Sequence, residues 1–205
     1  MGMAMEIFAV RPTTLERLRA DPPLVWLLIA PDEPEMYEEA RAQASSAGGL
    51  LGRLFGRKPA KRAAADEPTL VLAEDEGPVA DLDKAWHGLH FLFTGTADGG
   101  DSPMNFLTVG GDDIGDVDVG FGPARAISPP EVIAIARQLR GLSDEELRSR
   151  FDGPAMNALK IYPEIWDRGG SGVDPSGYLF ENLAGVRKAV TEAATRGHGL
   201  VIVLH

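Results

Sequence analysis

The chain has 205 residues, of which 44% are hydrophobic and 25% charged, and it contains no cysteine. Its formal net charge of −11 argues against general binding of nucleic-acid phosphates, and the missing cysteine excludes disulfides, thiolate metal ligands and a cysteine nucleophile. The longest apolar run, at 22–31, is far shorter than the roughly 20 residues that cross a bilayer, and no secretory signal is recognisable, so we expect a cytoplasmic protein without a transmembrane segment.

The first elements are short. Glu6–Val10 is rich in β-formers and predicts a strand, and Leu15–Ala20 predicts a helix that the Asp21-Pro22-Pro23 cluster stops. Leu24–Ile29 is apolar throughout, so it belongs in the core, but a run of this length shows no period and fits either a strand or a helix.

A change in composition follows. Between residues 41 and 62 the chain has six basic side chains and no acidic one, at Arg41, Arg53, Arg57, Lys58, Lys61 and Arg62. Together with the many small residues, this predicts a flexible basic insertion at 41–68. Leu50, Leu51, Leu54 and Phe55 also fit a short amphipathic helix for a membrane surface or a partner, although the glycines among them favour a plain surface loop.

The middle of the chain is less regular. Thr69–Ala73 fits a strand or a helical turn, and Asn105–Val109 fits a strand or a short apolar element. A clearer helix is predicted over Lys84–Phe93, opened by Asp81-Leu82-Asp83 and ended by Gly95. The acidic residues from Asp112 to Asp118 lack the spacing of a calcium loop and predict a solvated loop, and Val117–Ile127 predicts an extended segment.

The C-terminal half reads mainly as helices. Ser128 with Glu131, and Ser143 with Glu146, have the spacing of capping boxes. The predicted elements are helices from Ser128 to Arg140, from Ser143 to Phe151, over Pro154–Ile161 with Asp152 as its cap, and from Asp174 to Arg196, followed by a buried strand at Leu200–Leu204. Strands near both termini and a helix-rich C-terminal half predict an α+β fold in a single compact domain.

One helix carries most of the chemically interesting residues. The known catalytic and nucleotide-binding motifs are absent, but on a helical projection Asp83, His87 and His90 fall beside the apolar face that contains Trp86. Three interpretations fit: structural histidines bonded to backbone, a pocket in which a carboxylate orients a histidine base, and a metal site. One helix rarely completes a metal site, and no cofactor is predicted.

Two further features lie outside this helix. Tyr162 and Trp166, in the segment Phe151–Trp166, fit either an aromatic wall or ordinary core packing. Arg125 has the planar fork that binds a carboxylate or phosphate, and a salt bridge within the protein is the alternative. The candidate pocket therefore comprises Asp83, Trp86, His87, His90, Arg125 and Tyr162.

A family resemblance rests on three segments, which are LDKAWHGLHFLFTG at 82–95, GFGPAR at 120–125 with the DEELRSRF run at 144–151, and ALKIYP…W at 158–166. With these segments the chain resembles the YfbM-like family over most of its length, and only 41–68 departs from it. The resemblance implies one compact cytoplasmic α+β domain. The family has no established activity, so it carries over no catalytic residue. Its recurring features map onto Trp86, His87, His90, Gly122, Arg125 and Tyr162.

Two functions are compatible with these observations. The first is a non-catalytic interaction protein, such as an inhibitor or immunity protein, with a basic protein partner that complements the acidic chain. The alternative is a small-molecule-binding domain or an enzyme with its pocket at Asp83, His87 and His90. The sequence leaves the oligomeric state open.

Overall fold

The computed structural model describes residues 2–54, 69–168 and 174–205. Within them one antiparallel five-stranded sheet has the strand order β2-β1-β5-β4-β3. The strands are β1 Met5–Val10, β2 Gly77–Asp81, β3 Asp112–Asp118, β4 Pro123–Ile127 and β5 Gly199–Leu204. The first and last strands of the chain therefore lie side by side at the centre of the sheet.

Helices cover both faces of the sheet. They are α1 Pro12–Ala20, α2 Val25–Ile29, α3 Pro34–Leu54, α4 Trp86–Thr94, α5 Pro129–Gly141, α6 Asp144–Ser149, α7 Gly153–Ala158 and α8 Pro175–Arg196, with a short 3-10 helix at Pro22–Leu24. This arrangement confirms the predicted α+β class. No helix in the described part of the chain is long and apolar enough to cross a membrane.

A hydrophobic core lies on each face of the sheet, because successive side chains of β1 and β5 point to opposite faces. Ile7 and Ile202 point into a core with α4, α5, α7 and α8, whereas Phe8 and Val201 point into a second core with α1, α2 and α3. Burial on both faces explains why Leu200–Leu204 is a continuous apolar run, as predicted for a buried strand.

Several local predictions are confirmed at the level of single hydrogen bonds. The carboxylate of Glu131 accepts from the Ser128 N–H at 2.8 Å, which is half of the predicted capping box at α5. Ser143 accepts from the Glu146 N–H at 3.1 Å at the start of α6. Asp152 accepts from the Ala155 N–H at 3.0 Å at the start of α7.

Other local predictions were wrong. The acidic stretch predicted as a solvated loop forms β3, because Ile114 is buried in the second core and the strand pairs with β4. Asn105–Val109 forms turns and not a strand, while the burial of Phe106 and Leu107 agrees with the alternative of a short apolar element. Thr69–Ala73 has no regular structure, and the strand of this region is β2. The helix predicted to be opened by Asp83 begins at Trp86. Leu24–Ile29, which fitted either state, is helical.

The predicted insertion at 41–68 is only partly described. Helix α3 continues to Leu54 and so includes the first part of this range. Residues 55–68 lie outside the described residues, and so does Phe55, one of the four apolar residues of the predicted amphipathic helix. The flexibility of the range stays a prediction.

Candidate functional site

Helix α4 brings Trp86, His87 and His90 to the surface of the first core. Its buried side packs on α8 at a close approach, since a Cβ on Gly88 would lie 2.7 Å from Cδ2 of Leu179 and 2.8 Å from a ring carbon of Trp166. This contact fixes the rotation of α4 about its axis. The rings of His87 and His90 consequently lie side by side, with centroids 6.4 Å apart.

Both ring nitrogens of His87 are occupied by backbone groups. Nε2 lies 2.8 Å from the carbonyl oxygen of Ala97, and Nδ1 accepts from the Tyr162 N–H at 3.0 Å. One nitrogen therefore donates and the other accepts, which is the pattern of a neutral imidazole. The ring also stacks on Trp86, with centroids 4.9 Å apart and planes 8° from parallel. His87 thus joins two loops to α4.

His90 is fully buried and is bonded to two threonines. Its Nδ1 lies 3.1 Å from Oγ1 of Thr108, and its Nε2 lies 3.3 Å from Oγ1 of Thr94. The Thr94 hydroxyl donates to the His90 carbonyl at 2.8 Å, so it accepts from the ring N–H. The pKa of His90 is lowered from 6.5 to about 4, mainly by burial, with His87 acting in the same direction and Asp98 in the opposite one. His90 is therefore neutral at physiological pH.

The guanidinium of Arg125 binds the backbone of the loop at 106–110 and forms no salt bridge with another described residue. It donates to the carbonyl oxygens of Phe106 at 2.9 Å, of Leu107 at 2.7 Å and of Gly110. Burial lowers the pKa of Arg125 to about 10, and the nearby Asp113 acts in the opposite direction. A buried charge is tolerated here because three carbonyl dipoles replace its water.

The other two candidates have different surroundings. Asp83 precedes α4 with a φ of 41°, and its carboxylate accepts from the Tyr178 hydroxyl at 3.0 Å. Burial raises the pKa of that tyrosine to about 12. Tyr162 stacks on Trp86, with centroids 6.2 Å apart, and its hydroxyl accepts from the Met3 N–H at 3.0 Å. Asp83 therefore faces Tyr178 and not the histidines, whereas Tyr162 packs on Trp86 beside His87.

A cavity of about 350 Å³ lies between α4 and the sheet, and Trp86, His87 and Arg125 are in its wall. This volume is at the lower end of the range for small-molecule sites. The residues that sequence reasoning missed at this cavity are Met5, Asp98, Leu107, Thr108, Val109, Asp113, Phe121, Pro123, Ile202 and Leu204. Most of them come from turns and strand ends, where no periodic signal exists.

A larger depression, which we call the acidic groove, lies on the other side of the sheet. It has a volume of about 740 Å³ and is formed by the 3-10 helix, α3 and the second half of β3. Gly115 brings β3 against Pro22, since its φ is 62° and a Cβ there would lie 2.6 Å from Cγ of Pro22. The groove is lined by Pro22, Pro23, Trp26, Met36, Glu39, Ala40, Gln43, Ala44, Gly115, Asp116, Val117 and Asp118.

Metal binding finds no support in the described part of the chain. No cluster of three or more His, Asp and Glu side chains in it has the geometry to hold a metal ion. The two histidines of α4 use their nitrogens on threonines and backbone, and Asp83 bonds to Tyr178.

The fold and these sites define an α+β domain with a sheet covered by helices on both faces and a cavity of small-molecule size beside α4. The chain belongs to the family described as a domain of unknown function, DUF1877, whose model matches residues 1–203. A similar solved structure is that of YfbM from Escherichia coli, a protein of unknown function. It has a TM-score of 0.60, 16% identity and coverage of 100% of each chain, a likeness that shows the fold. The predicted YfbM-like resemblance is confirmed. Comparison with curated proteins finds no match.

Proposed function

We propose that this protein is a non-catalytic binding protein that docks a positively charged segment of a protein partner in the acidic groove. The observation that carries the proposal is the composition of the groove. Its floor contains the apolar side chains of Trp26, Met36 and Val117, and its rim contains the carboxylates of Glu39, Asp116 and Asp118. Apolar surface beside fixed negative charge suits a segment in which apolar residues alternate with Lys or Arg.

Two of the rim carboxylates are available to a partner. Asp118 accepts from the backbone N–H groups of Gly120 and Gly122, so its carboxylate is used in the turn before β4. Glu39 and Asp116 are exposed, and neither forms an ion pair with another described residue. The net charge of −11 adds long-range attraction for a cationic partner.

The histidines of α4 support a binding function over a catalytic one. A general base needs a ring nitrogen within hydrogen-bond reach of a substrate proton. The nitrogens of His87 contact backbone groups, and those of His90 contact threonine hydroxyls. An inhibitor or an immunity protein acts by binding alone, which fits this arrangement.

The test compares two charge variants that remove the same charge. Glu39→Gln/Asp116→Asn neutralises the rim, and Glu164→Gln/Glu181→Gln neutralises two exposed carboxylates that do not line the groove. Wild type and both variants are isolated gently from the source organism, and the recovered partner is then produced alone and titrated by calorimetry. We expect the partner to be recovered with wild type and with the control variant. The rim variant should bind the partner at least about tenfold more weakly.

Three results would contradict the proposal. One is a partner that binds the rim variant as tightly as wild type. Another is a partner whose affinity does not fall with added salt, because attraction between exposed charges is screened. The third is a concentration-dependent oligomer of the wild type, seen by light scattering and lost in the rim variant, since a second copy of this chain would then occupy the groove.

A further inference from the structure

The cavity beside α4 has apolar walls and an open mouth. Met5, Leu107, Ile202 and Leu204 line it, together with Trp86, which is only 7% exposed. The stacking of His87 on Trp86 and the contacts of His87 with two loops hold this wall in place. A pre-formed pocket of this kind costs little ordering when a ligand binds.

Two large apolar side chains flank the mouth. Val109 is 53% exposed and Phe121 is 48% exposed, and both line the cavity. Exposed side chains of this type are common singly, but two at the mouth of one cavity mark a place where a ligand would remove apolar surface from water. Phe121 lies in the turn between β3 and β4, next to the acidic strand.

The charges at the mouth are unequal. Arg125 is the basic residue in the wall, and its guanidinium already donates to three carbonyl oxygens. Asp98 and Asp113 are exposed in the same lining, and neither makes an ion pair or a hydrogen bond through its carboxylate to another described residue. Two carboxylates against one guanidinium leave a negative mouth, which attracts cations and repels anions.

We propose that this cavity binds a small organic ammonium ion, whose apolar body lies against Trp86 and Phe121 and whose positive group lies at Asp98 and Asp113. The walls exclude water around the apolar body, and the carboxylates select the sign of the charge. This site is separate from the acidic groove and binds a different kind of ligand.

The experiment uses two probes of similar size and opposite charge, 2-phenylethylammonium and 3-phenylpropionate. Binding is followed by NMR of the full chain, with the indole N–H of Trp86 as the local probe. This N–H is buried and has no hydrogen-bond partner among the described residues, so its resonance responds to changes in the wall. Trp86→Phe identifies its signal among those of the three tryptophans.

We expect the ammonium ion to shift the Trp86 signal and the amide signals of Leu107–Val109 in a saturable way. The anion should bind at least about tenfold more weakly. The double variant Asp98→Asn/Asp113→Asn should weaken binding of the ammonium ion by a similar factor. It should also reduce the preference for the ammonium ion over the anion. Glu164→Gln/Glu181→Gln, which removes the same charge at two exposed residues outside the cavity, should leave the affinity unchanged. Both cavity carboxylates are exposed, so the variant that removes them should fold, and native chemical shifts elsewhere would verify it.

The proposal is overturned if the two probes bind equally, if the anion binds better, or if the double variant binds the ammonium ion as wild type does. It is also overturned if millimolar ammonium probe leaves the Trp86 signal in place. These results leave the acidic groove untouched, because its variants alter other residues.

Discussion

His90 shows how this protein accommodates a polar side chain in its core. Both ring nitrogens have hydroxyl partners, which offsets part of the cost of removing an imidazole from water. Burial, His87 and Arg125 disfavour a positive charge on the ring, and together they outweigh the opposing effect of Asp98. The neutral form is therefore strongly preferred in the folded state.

Acidification should destabilise the protein through His90. Its pKa is about 4 in the folded chain and near 6.5 when exposed, so the unfolded state binds more protons between these values. The contribution of His90 to the free energy of unfolding is full above pH 6.5 and falls as the pH drops toward 4, by on the order of 3 kcal/mol. Chemical denaturation across pH 4 to 7.5 would measure it.

The carboxylates also titrate in this range, so the difference between wild type and His90→Gln isolates the effect. The wild type should lose stability more steeply between pH 6.5 and 4. His205→Gln, which removes a half-exposed imidazole, should follow the wild type. Parallel curves for wild type and His90→Gln would show that the folded protein accepts the protonated ring.

At the scale of elements, the contact between α4 and α8 positions the cavity wall. Two helical glycines, Gly88 in α4 and Gly185 in α8, differ in the space around them. A Cβ at Gly88 would meet Leu179 and Trp166 at 2.7 and 2.8 Å, whereas a Cβ at Gly185 would meet nothing within 4 Å. Gly88→Ala should lower the free energy of unfolding by about 1–3 kcal/mol through overpacking, despite a gain in helix propensity.

Gly185→Ala provides the matched control and should raise the free energy of unfolding by up to about 1 kcal/mol. Both values come from urea denaturation with a fixed slope. Stabilisation by Gly88→Ala would mean that Trp166 and Leu179 move aside at little cost, and that the approach of the two helices is looser than the structure has it.

The elements that the sequence predicts best are those with local signals. The caps of α5 and α6 and the apolar stripe of α8 depend on neighbouring residues, and their bounds agree with the structure. Strand β3 was missed because five polar or glycine positions surround Ile114 and Val117, and only pairing with β4 makes the segment a strand.

The same distinction applies to the cavity. Trp86, His87 and Arg125 stood out in the sequence, and all three line the cavity. Asp83 was grouped with them only because the helix was predicted to begin too early, and it faces Tyr178 instead. Asp98 follows Ala97, whose carbonyl oxygen contacts His87, and Phe121 lies in the turn between β3 and β4, so no local sequence pattern predicts either residue.

At the scale of the whole molecule, the central sheet separates the two sites. The cavity lies on the face of the first core and the acidic groove on the face of the second. Strand β3 contributes to both, with Asp113 at the cavity and Asp116 at the groove. Carboxylates therefore accumulate along one edge of the sheet, and their mutual repulsion must be offset by packing.

This repulsion predicts how salt affects stability. A net charge of −11 destabilises the compact state, and raising the ionic strength from 0.01 to 0.15 M shortens the screening length from about 30 to about 8 Å. The opposing effect is the weakening of exposed ion pairs such as Arg11–Asp75 and Arg150–Glu146, which contribute little to stability because water and salt screen them. Because the excess negative charges outnumber these pairs, we expect the free energy of unfolding to rise, by on the order of 1 kcal/mol.

The variant Glu164→Gln/Glu181→Gln tests the cause of this rise. It changes the net charge from −11 to −9, since two carboxylates are removed, and neither of them forms an ion pair with a described residue. In urea denaturation at 0.01 M salt, the free energy of unfolding of this variant should exceed that of wild type. Added salt should raise it by less than it raises that of wild type. A fall in wild-type stability with salt would mean that the ion pairs outweigh the net repulsion. The acidic surface would then be a set of locally balanced contacts, with less long-range attraction for a basic partner than the proposed docking requires.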